Sequence, residues 1–215
     1  MRNFLAACVL ALIPAFASAQ APHDHQHSFE DAEKWARVFD DPARDAWQKP
    51  QAVIEALALA PDARVADLGA GTGYFTVRLA GMLPGAHVYA VEIEPNLVRY
   101  IAARATREHL GNVVPVEGAP DDPRLPEKVD LVLVVDTYHH IDARSEYFRR
   151  LRDALRPGGR IAIVDFTLDS PYGPPRAARL APEAVKAEMQ AAGYAVAAEH
   201  AFLPYQYFIV FKPAT

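Results

Sequence analysis

Apolar and polar positions follow two rhythms along this chain. Short apolar runs bounded by glycine, proline or charged residues recur at 63–68, 87–91, 112–116, 129–135, 159–166, 195–202 and 205–211. Each reads as a β-strand. Between most of them lie stretches with helical spacing, at 74–83, 95–109, 142–155 and 182–192. Leu131-Val132-Leu133-Val134-Val135 is apolar at every position, as a strand covered on both faces should be. Alternation of strand and helix predicts an α/β fold: a doubly wound, mostly parallel seven-stranded sheet. The last two runs flank Leu203-Pro204 and leave no room for a crossover helix. They must pair antiparallel, as a C-terminal hairpin.

Two more helices precede the first strand. Phe29, Ala32, Trp35, Ala36 and Phe39 share one helical face, and Asp40-Asp41-Pro42 ends it. Pro50 opens a second helix over 51–59, closed by Pro61. These helices, within 29–60, either cap the ligand side or pack on the sheet edge. With no internal repeat or linker, residues 29–215 read as one domain.

The N-terminus has a different character. Arg2 is followed by an apolar stretch, Phe4 to Phe16, too short to span a bilayer, and then by the small residues Ala17-Ser18-Ala19. Residues 1–19 read as a secretory signal peptide cleaved before Gln20, which implies export, to a periplasm in a bacterium; the alternative is an uncleaved N-terminal anchor. Residues 20–28 alternate His23, His25 and His27, a tract that is either a solvated leader or a metal binder. The sole cysteine, Cys8, leaves with the signal, so the mature chain has no disulfide.

Composition narrows the classes further. The chain is 51% hydrophobic and 23% charged, as globular proteins are. A net charge of −5 and the lack of a basic run argue against a nucleic-acid partner. After signal cleavage no segment is apolar enough for an integral membrane span.

The candidate chemistry lies in Val65-Ala66-Asp67-Leu68-Gly69-Ala70-Gly71-Thr72-Gly73, an apolar run followed by glycine at every second position. Strand, glycine turn and helix make a nucleotide cradle: the backbone approaches a ligand closely, and the helix start offers N–H groups. A dinucleotide turn places its third glycine one residue later, where this chain has Tyr74. The second strand ends at Glu92, about twenty residues past the glycines, where a carboxylate can accept from both ribose hydroxyls. Ile93 would offer apolar contact to a base.

The D-x-G-x-G-x-G form resembles motif I of the class I, Rossmann-like S-adenosylmethionine (SAM) dependent methyltransferases. Glu92, the terminal hairpin and the turn Leu155-Arg156-Pro157-Gly158-Gly159-Arg160 extend the resemblance over roughly residues 50–211. It implies SAM as cofactor and a small-molecule methyl acceptor, in the broad quinone- and lipid-type group. It places Gly69, Ala70, Gly71 and Gly73 against the methionine part of SAM, with Tyr74 sheltering that end. Asp67 would take the amino group or serve as a structural acid bonding turn N–H groups. In Glu117-Gly118-Ala119-Pro120-Asp121-Asp122-Pro123 the resemblance assigns an adenine contact to an acid, Asp121 before Asp122, although the spacing departs from the family's Gly-Asp-Ala; the alternative for both is turn capping before Pro123.

Past the fourth strand stand Asp136, Thr137, Tyr138, His139 and His140. Asp136 is expected beside the methionine end and the acceptor. His139 or His140 would act as base if the nucleophile starts protonated, or would cap the next helix. Tyr138 either lines the acceptor pocket or packs in the core. The proline-rich stretch 166–175 either closes the substrate site or is an ordinary connection. No resident metal site is expected. Two other readings stand beside the enzyme: an exported, non-catalytic module of this fold carrying a ligand or metal, and an NAD-dependent oxidoreductase, which Gly73 and Tyr74 disfavour.

Overall fold

The computed structural model describes residues 31–214. The expected signal peptide, the histidine tract and Phe29 lie outside these residues. One seven-stranded sheet organises the rest: β1 (Arg64–Leu68), β2 (His87–Glu92), β3 (Val113–Glu117), β4 (Val129–Val135), β5 (Leu155–Phe166), β6 (Tyr194–His200) and β7 (Gln206–Pro213). The spatial order is β3-β2-β1-β4-β5-β7-β6. The first five strands pair in parallel, and β7 runs antiparallel to both β5 and β6. Strand order reverses between β1 and β4. A crevice therefore opens outside the C-terminal ends of these strands, where open α/β sheets bind ligands.

The helices are α1 (Ala32–Phe39), α2 (Arg44–Gln48), α3 (Pro50–Ala56), α4 (Tyr74–Met82), α5 (Pro95–Arg107), α6 (Arg144–Leu151) and α7 (Pro182–Ala191). On one sheet face, α6 and α7 bury Tyr147, Phe148, Leu151, Val185 and Met189 against Val132, Val134, Ile161 and Ile163. On the other face, α3 and α4 bury Val53, Ile54, Phe75 and Leu79 against Val65, Leu131, Leu133 and Val164. Because successive side chains point to opposite faces, β4 and β5 supply both layers, and continuous apolar sequence is the result. None of the described helices is long and apolar enough to cross a membrane.

Three elements differ from the sequence expectation. The short α2 was not anticipated: its length, between Pro42 and Pro50, is too little for a helical period to register. It is separated from α3 by Lys49 alone, which takes a left-handed φ of 45° and turns the chain between the two helices. The helix expected over 142–155 stops at Leu151 and continues as a 3-10 turn, Arg152–Ala154. β5 consequently starts at Leu155, which pairs with Val129 before the register shifts. The hairpin strands pair antiparallel as expected, with β7 inserted between β5 and β6.

Phe208, 1% exposed on β7, packs beside the His200 ring at 4.5 Å and edge-on to Phe202. Phe208→Ala is expected to lower the unfolding free energy by about 3–5 kcal/mol, read from urea denaturation.

Candidate functional site

All three glycines of the turn after β1 hold left-handed backbone: Gly69 at φ 74°, Gly71 at 59° and Gly73 at 85°. The Val91 carbonyl accepts from the Gly69 and Ala70 N–H groups at 2.9 and 3.0 Å, which ties the turn to the end of β2. A Cβ at Gly69 would overlap the Thr137 side chain. At Gly71 it would meet the Phe39 ring of α1 at 3.4 Å. Helix α1 thus lies over the turn. Arg104 of α5 fixes it there, donating to Asp40 at 2.8 Å and to the Thr72 carbonyl at 3.0 Å. The Thr72 hydroxyl is buried with no hydrogen-bond partner among the described residues.

Two acids stand behind this turn. Asp67 is 2% exposed and accepts from the Thr76 hydroxyl at 2.6 Å. Burial raises its pKa to about 6; the Thr76 hydrogen bonds oppose the rise and the Glu92 charge adds to it. Asp67 thus ties the first turn of α4 to the end of β1 through Thr76. Glu92, 7% exposed, accepts from the Gly71 N–H at 2.8 Å, from Ile93 at 2.7 Å and from Glu94 at 3.1 Å. Burial raises its pKa too, against the three backbone donors. Ile93 beside it is 51% exposed.

Two assigned residues point elsewhere. Tyr74 is buried, and its hydroxyl donates to Asp45 of the α2 region. Its ring lies between the guanidinium groups of Arg44 (4.2 Å) and Arg78 (3.8 Å). It anchors α2 to α4. Asp121 is exposed and faces Arg150 of α6 at 3.8 Å, on the rim of a cavity of about 540 Å³ shared with Tyr147 and Lys128. Ala119 and Asp122 bond each other's backbone and close the tight loop that carries Asp121.

A second cluster forms where β4 ends. Asp136, at a left-handed φ of 54°, accepts from Gln48 at 2.8 Å, from Arg44 at 3.4 Å and from the Gln206 amide. Burial raises its pKa to about 6; Arg44, Gln48 and His139 lower it, and the Asp165 charge raises it. Next to it His139 sits in the 3-10 turn Tyr138–His140. Its Nδ1 lies 3.0 and 2.9 Å from the two Asp165 oxygens, with both side chains about 5% exposed. Burial pulls the His139 pKa down, but the Asp165 hydrogen bond and the Asp165 and Asp136 charges outweigh it, and the net direction is upward. A carboxylate on Nδ1 holds the proton there and leaves Nε2 as the basic atom. His140 is exposed, its ring 4.2 Å from that of His139. Tyr138 is core: fully buried, stacked on Phe148 and donating to Glu188 at 2.8 Å.

Sequence reasoning missed Arg44, Gln48, Asp165 and Gln206. Asp165 had a signal, as the single acid in the apolar run Ile161–Phe166. Gln206 and the helix pair Arg44 and Gln48 carry none without the fold. The aromatic boundary of this cluster is Trp47, stacked on Tyr172 at 4.7 Å and 6.0 Å from Phe166. The helix α2 therefore covers the strand ends, and the 166–175 stretch meets it there.

Residues 66–161 match the family described as a methyltransferase domain. The fold is that of the class I SAM-dependent methyltransferases. The solved SAM dependent methyltransferase from Aquifex aeolicus superposes with a TM-score of 0.77 at 22% identity, over 84% of this chain and 97% of that one. Malonyl-[acyl-carrier protein] O-methyltransferase of Methylococcus capsulatus is 33% identical over 107 residues, 49% of this chain and 38% of the relative. Protein-L-isoaspartate O-methyltransferase of Methylorubrum populi is 37% identical over 125 residues, 57% of this chain and 51% of the relative. The chain thus spans about half the length, or less, of these two curated relatives.

The raised pKa of Asp67 has a signed consequence. The folded state holds a proton that the unfolded state has lost between pH 3.8 and about 6, so this group's contribution is full below 3.8 and is lost as pH rises through 6. Asp67→Asn, which keeps the acceptor for Thr76, should be more stable than the parent at pH 7. The two should converge near pH 4 in denaturant titrations.

Proposed function

We propose that this chain binds SAM at the glycine turn and transfers its methyl group to a small-molecule acceptor held beneath α2. The observation that carries the reading is Glu92, whose buried carboxylate braces Gly71 while Ile93 beside it stays exposed. A carboxylate has about four lone-pair sites. Three are taken by backbone N–H groups, which leaves Glu92 able to accept from a ribose hydroxyl. Gly69, Ala70, Gly71 and Gly73 supply the close backbone approach, and Ile93 the apolar contact to the base. Asp67, buried, and Asp136, partly buried, put two carboxylates at the strand ends, where a cationic ligand is favoured. Tyr74 contributes by holding α2 in place. Asp121, turned to Arg150, receives no role in this assignment.

Bound SAM supplies a methyl group already activated on a sulfonium. The protein's work is alignment and exclusion of water. Helices α1 and α2 roof the crevice, and Arg44 and Gln48 fasten that roof to Asp136. Where the acceptor atom carries a proton, His139 Nε2 takes it, with Asp165 fixing the tautomer and stabilising the charged ring. We also propose export of the mature chain from Gln20, on the pattern of residues 1–19. Sequencing of the mature terminus tests it, and an intact Met1 in the cytosol overturns it.

Calorimetry should show binding of SAM and S-adenosylhomocysteine in preference to NAD. Glu92→Ala should weaken S-adenosylhomocysteine binding by ~1.5–3 kcal/mol per hydrogen bond lost; unchanged affinity would remove Glu92 from the site.

The dyad has its own test, in transfer from labelled SAM to extract fractions. His139 must be neutral to accept a proton, so transfer should rise with pH through its pKa. Asp165→Asn removes the charge that holds that pKa up. It should move the rising limb to lower pH and reduce the plateau by about 10²–10⁴-fold, the usual worth of a positioned base.

A further inference from the structure

The segment between β5 and α7 has no long element of its own, yet it is wound around one side chain. Arg179 Nη1 donates to the carbonyls of Ser170 at 2.6 Å and Leu168 at 3.1 Å, with Thr167 at 3.4 Å. Its Nε donates to Pro174 at 2.8 Å and its Nη2 to Tyr172 at 3.0 Å. Carbonyls from five residues of one loop thus converge on one guanidinium. Its planar fork of N–H donors suits such a ring, whereas an ammonium offers three donors from a single point.

The loop is pinned at both ends of this ring. Thr167 donates from its N–H and its hydroxyl to the Tyr205 carbonyl, at 3.0 and 3.1 Å. Gly173 has a φ of 89°, and a Cβ there would overlap the Phe166 ring. Between these points the Tyr172 N–H donates to the Ser170 hydroxyl at 3.1 Å. Tyr172 is thereby set on the Trp47 ring, nearly parallel at 7°, although the tyrosine itself is 44% exposed. Trp47 belongs to α2, whose Arg44 and Gln48 reach Asp136.

We propose that Arg179 is a positioning residue: by gathering the 167–174 carbonyls it holds Tyr172 against Trp47 and so clasps α2 over the acceptor side of the site. This rests on the methyltransferase reading only for what the clasp encloses; the clasp itself is a property of the free protein. A single aromatic pair joining a short helix to an irregular loop is a weak contact, too weak to persist if the loop were loose. Arg179 removes that looseness before any ligand arrives.

The chain has two tryptophans, Trp35 and Trp47, so Trp35→Phe leaves Trp47 as the sole reporter. In that background, Arg179→Lys should raise acrylamide quenching of Trp47 severalfold and shift its emission to the red, and Tyr172→Ala should do the same. Circular dichroism and the thermal midpoint of Tyr172→Ala should stay at the parent values, which separates the clasp from general loss of structure. Unchanged Trp47 quenching in folded Arg179→Lys overturns the proposal, as does a Tyr172→Ala change without an Arg179→Lys change. Calorimetry with S-adenosylhomocysteine on the same variants is independent of these readings: if it fails to bind the parent while the quenching shifts appear, the clasp stands and the methyltransferase reading falls.

Discussion

The carboxylate of Asp136 is the interaction on which the rest of the site depends. It sits where β4 ends, in a left-handed conformation that a side chain ordinarily avoids, and it is shielded from water. Such burial is costly unless donors replace the lost hydration. The donors come from two distant places in the chain, Arg44 and Gln48 on α2 and Gln206 at the start of β7. A helix from the N-terminal region and a strand near residue 206 are therefore held at the same point. The backbone turn that Asp136 begins also delivers Thr137 to Gly69 and His139 to Asp165. Cradle, roof and dyad share this one anchor.

The sheet was legible because burial on both faces leaves strands such as β4 with no polar position, a pattern that needs no tertiary knowledge. The glycine turn was legible for a similar reason: three left-handed residues in five exclude almost every other amino acid. Pro50 announced α3 by the same kind of local constraint. What could not be read depends on meetings between remote segments. Arg44 and Gln48 look like ordinary surface residues of a helix too short to recognise. Asp165 becomes half of a dyad only because β5 lies beside β4 and brings it to His139. The pairing of Asp121 with Arg150 is likewise a meeting of remote segments, a loop after β3 and helix α6.

Electrostatics give the strand ends a shared character. Asp67, Glu92, Asp136 and Asp165 lie at or beside the C-terminal ends of β1, β2, β4 and β5, and all four are largely shielded. Arg44 engages Asp136 and the His139 ring engages Asp165, while Asp67 and Glu92 are held by hydroxyl and backbone donors. The crevice is therefore poor in positive charge. Anything cationic that enters it stabilises the folded chain by mass action, and occupancy and stability are linked quantities here.

The placement of β7 carries one more consequence. Every other described element precedes it in sequence, yet it lies inside the sheet, between β5 and β6. It also supplies Gln206 to Asp136 and sets Tyr207 opposite Asp165. A chain emerging N-terminus first can form β1 to β5 and still leave β5 with an open edge and β6 with no neighbour. That edge is the kind of surface on which incomplete chains aggregate or are held by chaperones. Synthesis must pass residue 213 before the sheet closes, so closure of the sheet and delivery of Gln206 to Asp136 become the same event.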